Sequence, residues 1–217
     1  MRSSRMNRQM RTANSRRLLT RFLGCLMVLF VSLGSGARAA SPRACAVASF
    51  AVGALLADRG SARPMVLTSK PARMVGPPPS LADFTHRFDK AEDAAFGWVG
   101  ESPAPELAKA FLAEKAVSPL LICPAFDRRL AALKVSTDER ALNRIRRRSA
   151  HSYHRIESYG VRIISMSLPI VSADGLHALI GVDSTYGPLD GTGSIFLFEL
   201  GSNGQWTLIG QLRTWIS

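Results

Sequence analysis

Acidic residues are absent from the first 40 positions of this 217-residue chain, which contain eight arginines. The whole chain has 28 basic and 16 acidic residues, so residues 41–217 keep 20 basic residues against the same 16, a net charge of +4 instead of +12. A protein that binds nucleic acid needs a concentrated positive surface, because contacts with phosphates supply most of the affinity. The distribution of charge therefore disfavours nucleic acid as a partner.

The first 40 residues also lack an apolar run of about 20 residues, the length of a membrane-spanning helix. Their apolar run, residues 22–33, is shorter, follows the arginine-rich stretch and precedes the small residues Ala37 and Ala39. This order predicts a secretory signal peptide over residues 1–40, with an uncleaved membrane anchor as the alternative. We expect a periplasmic or secreted protein that meets the membrane only transiently, through its signal sequence.

A second apolar run, residues 44–57, leaves the first mature residue open. In one interpretation it is a helix of the mature protein. In the other it is the true signal core, with a later translation start and cleavage near Ala62. Residues 15–21 resemble the twin-arginine export motif, although Leu19 and Thr20 depart from it, so the general secretory and twin-arginine routes both stay open.

Cysteine is scarce, and one of the three cysteines, Cys25, lies in the predicted signal peptide. Cys45 and Cys123 remain. An oxidising compartment allows two such thiols to form a disulfide. Their separation in sequence neither supports nor excludes the pairing.

Motifs that identify an enzyme are missing. Ser184 lacks the Gly-x-Ser-x-Gly sequence of hydrolases. Residues 186–194 are rich in glycine but lack the lysine and the helix of a phosphate-binding loop. His151 and His154 lack the spacing of the zinc proteases. The sequence therefore predicts no catalytic residue, no metal site and no cofactor, and it favours a protein that is not an enzyme.

The organisation expected downstream of the signal is simple. Residues 41–80 are interpreted as an Ala-rich apolar segment and a proline-rich linker that ends in three consecutive prolines. The folded domain is then expected over residues 81–217. Apolar residues at helical spacing predict helices at residues 81–95, 105–116 and 138–156, with a shorter one around Phe126 and Leu130.

After Gly160 the pattern changes to strands separated by turns. Strands are predicted at residues 161–172, 177–186, 194–200 and 205–216, with a Gly-rich connection at residues 187–193. Alternation in the last strand places Trp206 and Leu212 on one side and Trp215 on the other, with Arg213. The expected fold is α+β, with N-terminal helices packed on one face of a C-terminal four-stranded antiparallel meander.

Three short motifs near the C-terminus lie at turns and strand ends: Ser-x-Asp-Gly at residues 172–175, Gly-x-Gly-Ser at residues 191–194 and Trp-Ile-Ser at residues 215–217. In these motifs the C-terminal region resembles a group of uncharacterised small secreted bacterial proteins. The resemblance implies export and a strand meander, and it implies no activity.

Outside the leader, residues 144–148 form a dense basic run. On the predicted helix 138–156 this run indicates an exposed cationic side that binds an anionic envelope component or a protein partner. The residues assigned to it are Arg144, Arg147, Arg148 and His151. Trp215 is added as the aromatic residue best placed to meet a ligand. A solvated helix side without a partner is the alternative.

The function expected from these observations is that of an exported, non-catalytic domain. The alternative is an envelope hydrolase with a site at the Gly-rich end of the sheet, built from His177, Asp183 and Asp190. His177 and Asp183 share a strand face six residues apart, too far for a direct hydrogen bond. Such a site therefore depends on convergence in the fold.

Overall fold

The computed structural model describes residues 41–57, 64–72, 79–86, 97–150, 160–187 and 190–216, with the backbone alone at residues 146 and 148–150. These residues belong to one compact unit, Ala40–Ser217. The predicted signal peptide, residues 73–78 of the proline-rich stretch and His151 lie outside the described residues.

The described residues contain five α-helices and seven β-strands. The helices are α1 (Pro42–Ala57), α2 (Leu81–Thr85), α3 (Pro105–Ala113), α4 (Phe126–Ala132) and α5 (Glu139–Ala150), and a 3₁₀ helix, Pro119–Leu121, precedes α4. The strands are β1 (Met65–Leu67), β2 (Trp98–Gly100), β3 (Arg162–Met166), β4 (Ile170–Val171), β5 (His177–Gly187), β6 (Asp190–Leu200) and β7 (Trp206–Ile216). This composition confirms the α+β class.

Side chains that accept hydrogen bonds from free backbone N–H groups mark two of the helix starts. Ser80 Oγ accepts the N–H of Asp83 at 3.1 Å at the start of α2. Asp138 Oδ1 accepts the N–H groups of Arg140 at 2.8 Å and Ala141 at 3.1 Å at the start of α5. The helices predicted at residues 105–116 and around Phe126 are confirmed as α3 and α4, and α3 ends at Ala113. Of the helix predicted at residues 81–95, α2 covers the first turn and residues 87–95 lie outside the described residues.

The strands form one mixed sheet with the order β1-β3-β5-β6-β7-β2, and β4 pairs with β5 beside β3. β1 runs parallel to β3, and the other pairs are antiparallel. The meander β5-β6-β7 agrees with the prediction. The prediction of a four-stranded sheet is wrong, because two strands from the N-terminal half, β1 and β2, form the edges and the predicted strand 161–172 divides into β3 and β4.

Helices cover both faces of the sheet, so the prediction of cover on one face is wrong. Ala178 and Leu179 are neighbours on β5 and point to opposite faces, yet both are fully buried. The face that carries Ala178, here called the α1 face, packs against α1 and α4. The face that carries Leu179, here called the α3 face, packs against α2 and α3. On the same α3 face, Leu142 of α5 packs with Val66 and Ile163 in a separate cluster.

The segment before residue 81 belongs to the folded unit, in contrast to the expected boundary. Val47 and Val52 of α1 are fully buried in the core of the α1 face. β1 continues the sheet beside β3. A disulfide joins Cys45 to Cys123, a separation of 78 residues. Apolar packing and the covalent link therefore attach the Ala-rich segment to the domain.

Two register shifts in the pairing of β6 with β7 explain why the predicted faces of the last strand are wrong. Each extra residue in a strand reverses the alternation beyond it. Trp206 packs on the α1 face, whereas Leu212 packs in the cluster of the α3 face. Trp215 lies opposite Gly193 on the α3 face, and Arg213 lies opposite a residue of the α1 face.

Most of the predicted Gly-rich connection is strand, since β6 begins at Asp190. Gly191 and Gly193 lie beneath the indole of Trp215, and a Cβ atom built on Gly191 would come within 2.7 Å of the ring. An aromatic side chain laid over strand glycines supplies the packing that they lack. The glycines therefore make room for Trp215.

Candidate functional site

A break between β3 and β4 opens the sheet next to the end of α3. Proline has no N–H to give to a strand ladder, and Pro169 stands in this break. The Ser167 N–H bonds Gly181 O at 2.9 Å, and the Ser167 hydroxyl accepts the Gly181 N–H at 2.8 Å. The next residue turns away from the sheet, and Leu168 donates its N–H to Val117 O at 2.6 Å. Ser167 thus ends the ladder while keeping Gly181 hydrogen-bonded.

The break forms one side of a cavity of about 440 Å³ on the α3 face. The sheet provides the floor, the end of α3 and the following loop provide a wall, and Ala72 contributes from the segment after β1. A Cβ atom on Gly181 would come within 3.2 Å of Ser167 Oγ, so a side chain at this position would crowd the floor of the cavity. Most of the lining is apolar, including Phe111, Leu112, Ala116, Val117, Leu168, Ile170 and Ile195.

Asp183 is the charged group on the floor of this cavity, and its side chain is half-buried. Its Oδ1 accepts the indole N–H of Trp215 at 3.1 Å. The other charged side chains among the described lining residues, Glu114 and Lys115, are exposed and opposite in sign. The described lining therefore combines one half-buried carboxylate on the floor with two exposed charged side chains at the rim.

Asp183 belongs to a row of residues that crosses the α3 face. Ser165 of β3, Asp183 of β5, Gly193 of β6 and Trp215 of β7 lie opposite one another in adjacent strands. At the β1 end, the hydroxyls of Ser165 and Thr68 lie 3.1 Å apart. We call this set the polar row. It separates the apolar cluster under α3 from the cluster under α5.

The predicted cationic side of α5 is exposed where the structure describes it. Leu142 is fully buried, while Arg144 and Arg147 are exposed on the same helix. The Arg144 guanidinium lies 3.8 Å from the Asp138 carboxylate. Two backbone N–H groups at the helix start, Ala141 foremost, hold the pKa of Asp138 below its usual value. The Arg148 side chain and His151 lie outside the described residues.

Trp215 is half-buried, and its role as a ligand-facing aromatic stays a prediction. Its ring covers Gly191 and Gly193, and its N–H is donated to Asp183. Trp215 is not among the cavity-lining residues, and its hydrogen bond to Asp183 connects it to the lining.

The residues of the alternative hydrolytic site lie apart. His177 lines a second cleft on the α3 face, whereas Asp183 lines the cavity. Six residues of strand separate them by roughly 20 Å. Asp190 is exposed at the first position of β6. The fold does not combine His177 and Asp183 into one site.

The second cleft is acidic. It is lined by the carboxylates of Glu101, Glu106, Asp174 and Glu199, with the His177 imidazole 3.9 Å from Glu199. The hydroxyl of Ser172 donates to Asp174 and holds the pKa of that carboxyl below its usual value.

Sequence reasoning missed the residues that build the cavity: Ser167, Gly181, Phe111 and Thr214. They come from four distant parts of the chain, so no spacing pattern connects them. Pro169 inside a predicted strand was the available signal, since proline within a run argues against an unbroken strand.

No protein-family model, curated protein or solved structure matches this chain. The resemblance of the C-terminal motifs to small secreted bacterial proteins therefore stays a prediction.

Within the described residues, none of the helices combines the length and apolar character needed to cross a membrane. The same residues contain no group of three or more His, Cys, Asp or Glu side chains positioned to hold a metal ion.

Proposed function

We propose that this protein is an exported, periplasmic or secreted domain that binds an apolar small molecule in the cavity of the α3 face, without catalysis. The observation that carries the proposal is the cavity itself. Its volume of about 440 Å³ and its largely apolar lining match the small-molecule sites of proteins, which measure roughly 300–1,000 Å³ and place a few polar groups among apolar walls.

The disulfide supports the export part of the proposal. Cytosolic thiols are kept reduced, whereas the periplasm and the extracellular space allow disulfides to persist. Cys45 reaches Cys123 only if α1 stays in the mature protein. We therefore favour cleavage close to Ala40 over cleavage near Ala62, which would remove both α1 and Cys45.

Separation of the candidate catalytic groups supports binding without catalysis. A hydrolytic site needs its base and its acid within hydrogen-bond reach of one substrate. His177 and Asp183 line different clefts, and the Asp183 carboxylate already holds the Trp215 N–H.

The test uses N-phenyl-1-naphthylamine, a neutral apolar dye whose fluorescence rises when it leaves water. Wild-type protein should bind it, and Ala116→Trp, which places an indole in the cavity lining, should weaken binding at least tenfold. Ala113→Trp is the matched control, since Ala113 is exposed on the same segment and does not line the cavity.

Dye fluorescence that does not rise with wild-type protein, or that is equally lost in both tryptophan variants, would count against the cavity as the site. Circular dichroism of each variant separates loss of binding from loss of folding.

The cationic side of α5 supports a second candidate function, retention on an anionic envelope component or an acidic protein partner. Its specific support is the exposure of Arg144 and Arg147 on a helix that Leu142 anchors to the sheet. Replacing Arg144, Arg147 and Arg148 by Glu should abolish retention in the envelope fraction and leave the circular dichroism spectrum unchanged. Retention of the triple variant at the wild-type level would discard this surface.

A further inference from the structure

We infer that the ligand of the cavity is a neutral amphiphile, an apolar molecule with one uncharged hydroxyl group that hydrogen-bonds to the side chain of Thr214. The inference rests on the proposed function, which assigns binding to this cavity, and adds the chemical class of the ligand. It follows from the position of one hydroxyl group on β7 and from the interactions that the other polar lining groups already make.

A register shift in β7 directs Thr214 to the cavity. In β6, Gly193 lies opposite Trp215 and Ser194 lies opposite Arg213. Thr214 is therefore the extra residue between two pairs, and a bulge of this kind changes the direction of a side chain. A Cβ atom on Gly193 would come within 2.6 Å of Thr214 Oγ1. The missing side chain of Gly193 thus makes room for the hydroxyl on the α3 face, where Thr214 lines the cavity.

The Thr214 hydroxyl is available to a ligand. The described part of the chain offers it no hydrogen-bond partner, and the residue is half-buried. A hydroxyl group can donate one hydrogen bond and accept two. A wholly apolar ligand that filled the cavity would bury this group unpaired, which costs free energy, whereas a ligand hydroxyl would pair with it.

The two serine hydroxyls of the lining are engaged within the protein. Ser167 Oγ accepts the backbone N–H of Gly181 at 2.8 Å. Ser194 Oγ accepts the side-chain N–H of Gln211 at 3.1 Å. Thr214 therefore differs from both serines, because its hydroxyl is not used to hold the sheet together.

The charged groups of the lining favour an uncharged ligand. Asp183 accepts the indole N–H of Trp215 at 3.1 Å, and this is not its only interaction within the protein. Glu114 and Lys115 are exposed and opposite in sign, and an ion pair with an exposed side chain contributes little. A charged head group that entered the cavity would therefore lose water without gaining a strong partner.

The remaining lining suits an apolar body. Phe111 and Leu112 contribute from α3, Leu168 and Ile170 from the two sides of the break between β3 and β4, and Ile195 from the floor. One available hydroxyl group thus stands beside a largely apolar volume. This arrangement fits a molecule with a single polar end and disfavours a molecule with many hydroxyl groups, such as a sugar.

The experiment compares four probes that share an eight-carbon chain and differ in their polar end: 1-octanol, 1-chlorooctane, octylammonium and octanoate. Each is used to displace N-phenyl-1-naphthylamine at pH 7, below any micellar concentration. We expect octanol to displace the dye about tenfold more effectively than either charged probe, because a charge is costly to remove from water. Ratios between probes are compared within one protein variant, so any change in affinity for the dye cancels.

Thr214→Val keeps the branched shape and removes the hydroxyl. It should lower the effectiveness of octanol relative to 1-chlorooctane about fivefold, the effect of losing one neutral hydrogen bond. Thr214→Ser retains a hydroxyl and should keep the wild-type ratio. Thr192→Val is the matched control: Thr192 is half-buried on the neighbouring strand β6 but points to the α1 face, so the ratio should persist.

The outcomes separate the two proposals. An octanol to chlorooctane ratio that is the same in wild type and Thr214→Val would overturn the inference about the ligand, and so would a charged probe that displaces the dye as well as octanol does. Both results leave the cavity as the binding site. If the dye itself does not bind to wild-type protein, the proposed function fails and the inference fails with it. The comparison of octanol with the charged probes needs only wild-type protein, so it is decisive even if a variant folds poorly.

Discussion

On the α1 face, buried apolar side chains extend across the sheet from Met65 to Trp206 beneath α1 and α4. The disulfide links α1 covalently to Cys123. On the α3 face, two apolar clusters are separated by the polar row, and the cavity lies beside it. Leu179 and Asp183 stand on the same strand and the same face, four residues apart, yet one is in a core and the other lines a cavity.

The difference indicates that the two faces have different roles, one in stability and one in binding. A continuous, close-packed apolar layer contributes most of the free energy of folding. Placing a carboxylate and a cavity in such a layer costs stability, because a half-buried polar group must be satisfied and an empty volume loses packing contacts. We therefore expect the α1 face to dominate stability and the α3 face to dominate binding.

The largest effect is expected from the disulfide of the α1 face. Replacing Cys45 and Cys123 together by Ser should lower the free energy of unfolding by about 4 kcal/mol, because a bond that closes a loop of this length restricts the unfolded chain. Urea denaturation followed by circular dichroism measures the change. Binding of N-phenyl-1-naphthylamine should persist in the absence of urea, and an unchanged unfolding midpoint would contradict the role given to the bond.

A matched pair of isoleucines compares the faces directly. Ile180 is fully buried on the α1 face, and Ile170 is half-buried at the cavity. Ile180→Ala should cost about 3–4 kcal/mol and Ile170→Ala about 1 kcal/mol, since the loss grows with burial and with the volume left empty. Only Ile170→Ala should change dye binding. Equal losses in the two variants would remove the distinction between the faces.

The smallest effect concerns α5 and its cap. The pKa of Asp138 is lowered in the folded protein, chiefly by the backbone N–H of Ala141, from a reference value of 3.8. Its stabilising contribution is therefore fully present above pH 3.8 and is lost as the pH falls through the lower, folded-state pKa. Asp138→Asn keeps a capping oxygen but does not titrate. The difference in free energy of unfolding between wild type and this variant should shrink below pH 3.8, and a constant difference would refute the assignment.

Local features of the sequence predicted the central elements well. Pro105 at the first position of α3, helical spacing around Phe126 and an apolar run between turn residues at β5 each reflect short-range rules, and the structure contains the corresponding elements. The assignment of one covered face was wrong because Ala178, Leu179 and Ile180 were interpreted as alternating. A near-continuous apolar run is typical of a strand buried on both sides.

Other features depend on contacts between distant residues. The register shift between Leu208 and Gly210 was not predicted from the sequence, and it places Leu212 and Trp206 on opposite faces. Gly191 and Gly193 suggest a loop until Trp215 is placed above them. β1 is only three residues long, and tertiary pairing with β3 outweighs the turn-forming residues around it.

The candidate site was predicted only in fragments. Asp183 was singled out for a hydrolytic role and Trp215 as an exposed aromatic, and the structure joins them through one hydrogen bond. The cavity walls come from widely separated segments, so only the folded chain brings them together. The cationic side of α5 was predicted from helical periodicity, as the side opposite Leu142, Ile145 and Ile156, and Leu142 packs against the sheet.

β1 pairs with β3, which follows it by almost 100 residues, so this part of the sheet forms only after β3 has been made. Met65 lies opposite Arg162, and the apolar side of α1 packs on α4 and on the later strands β5 and β6. Closing such a long loop costs entropy that local contacts do not return. We therefore expect α1 to complete its packing last, because α4 covers part of it but β5 and β6 follow later in the chain. A protein truncated before β6 would keep α4 and β5 but would lack Phe198, whose ring packs edge-on against Phe50 of α1.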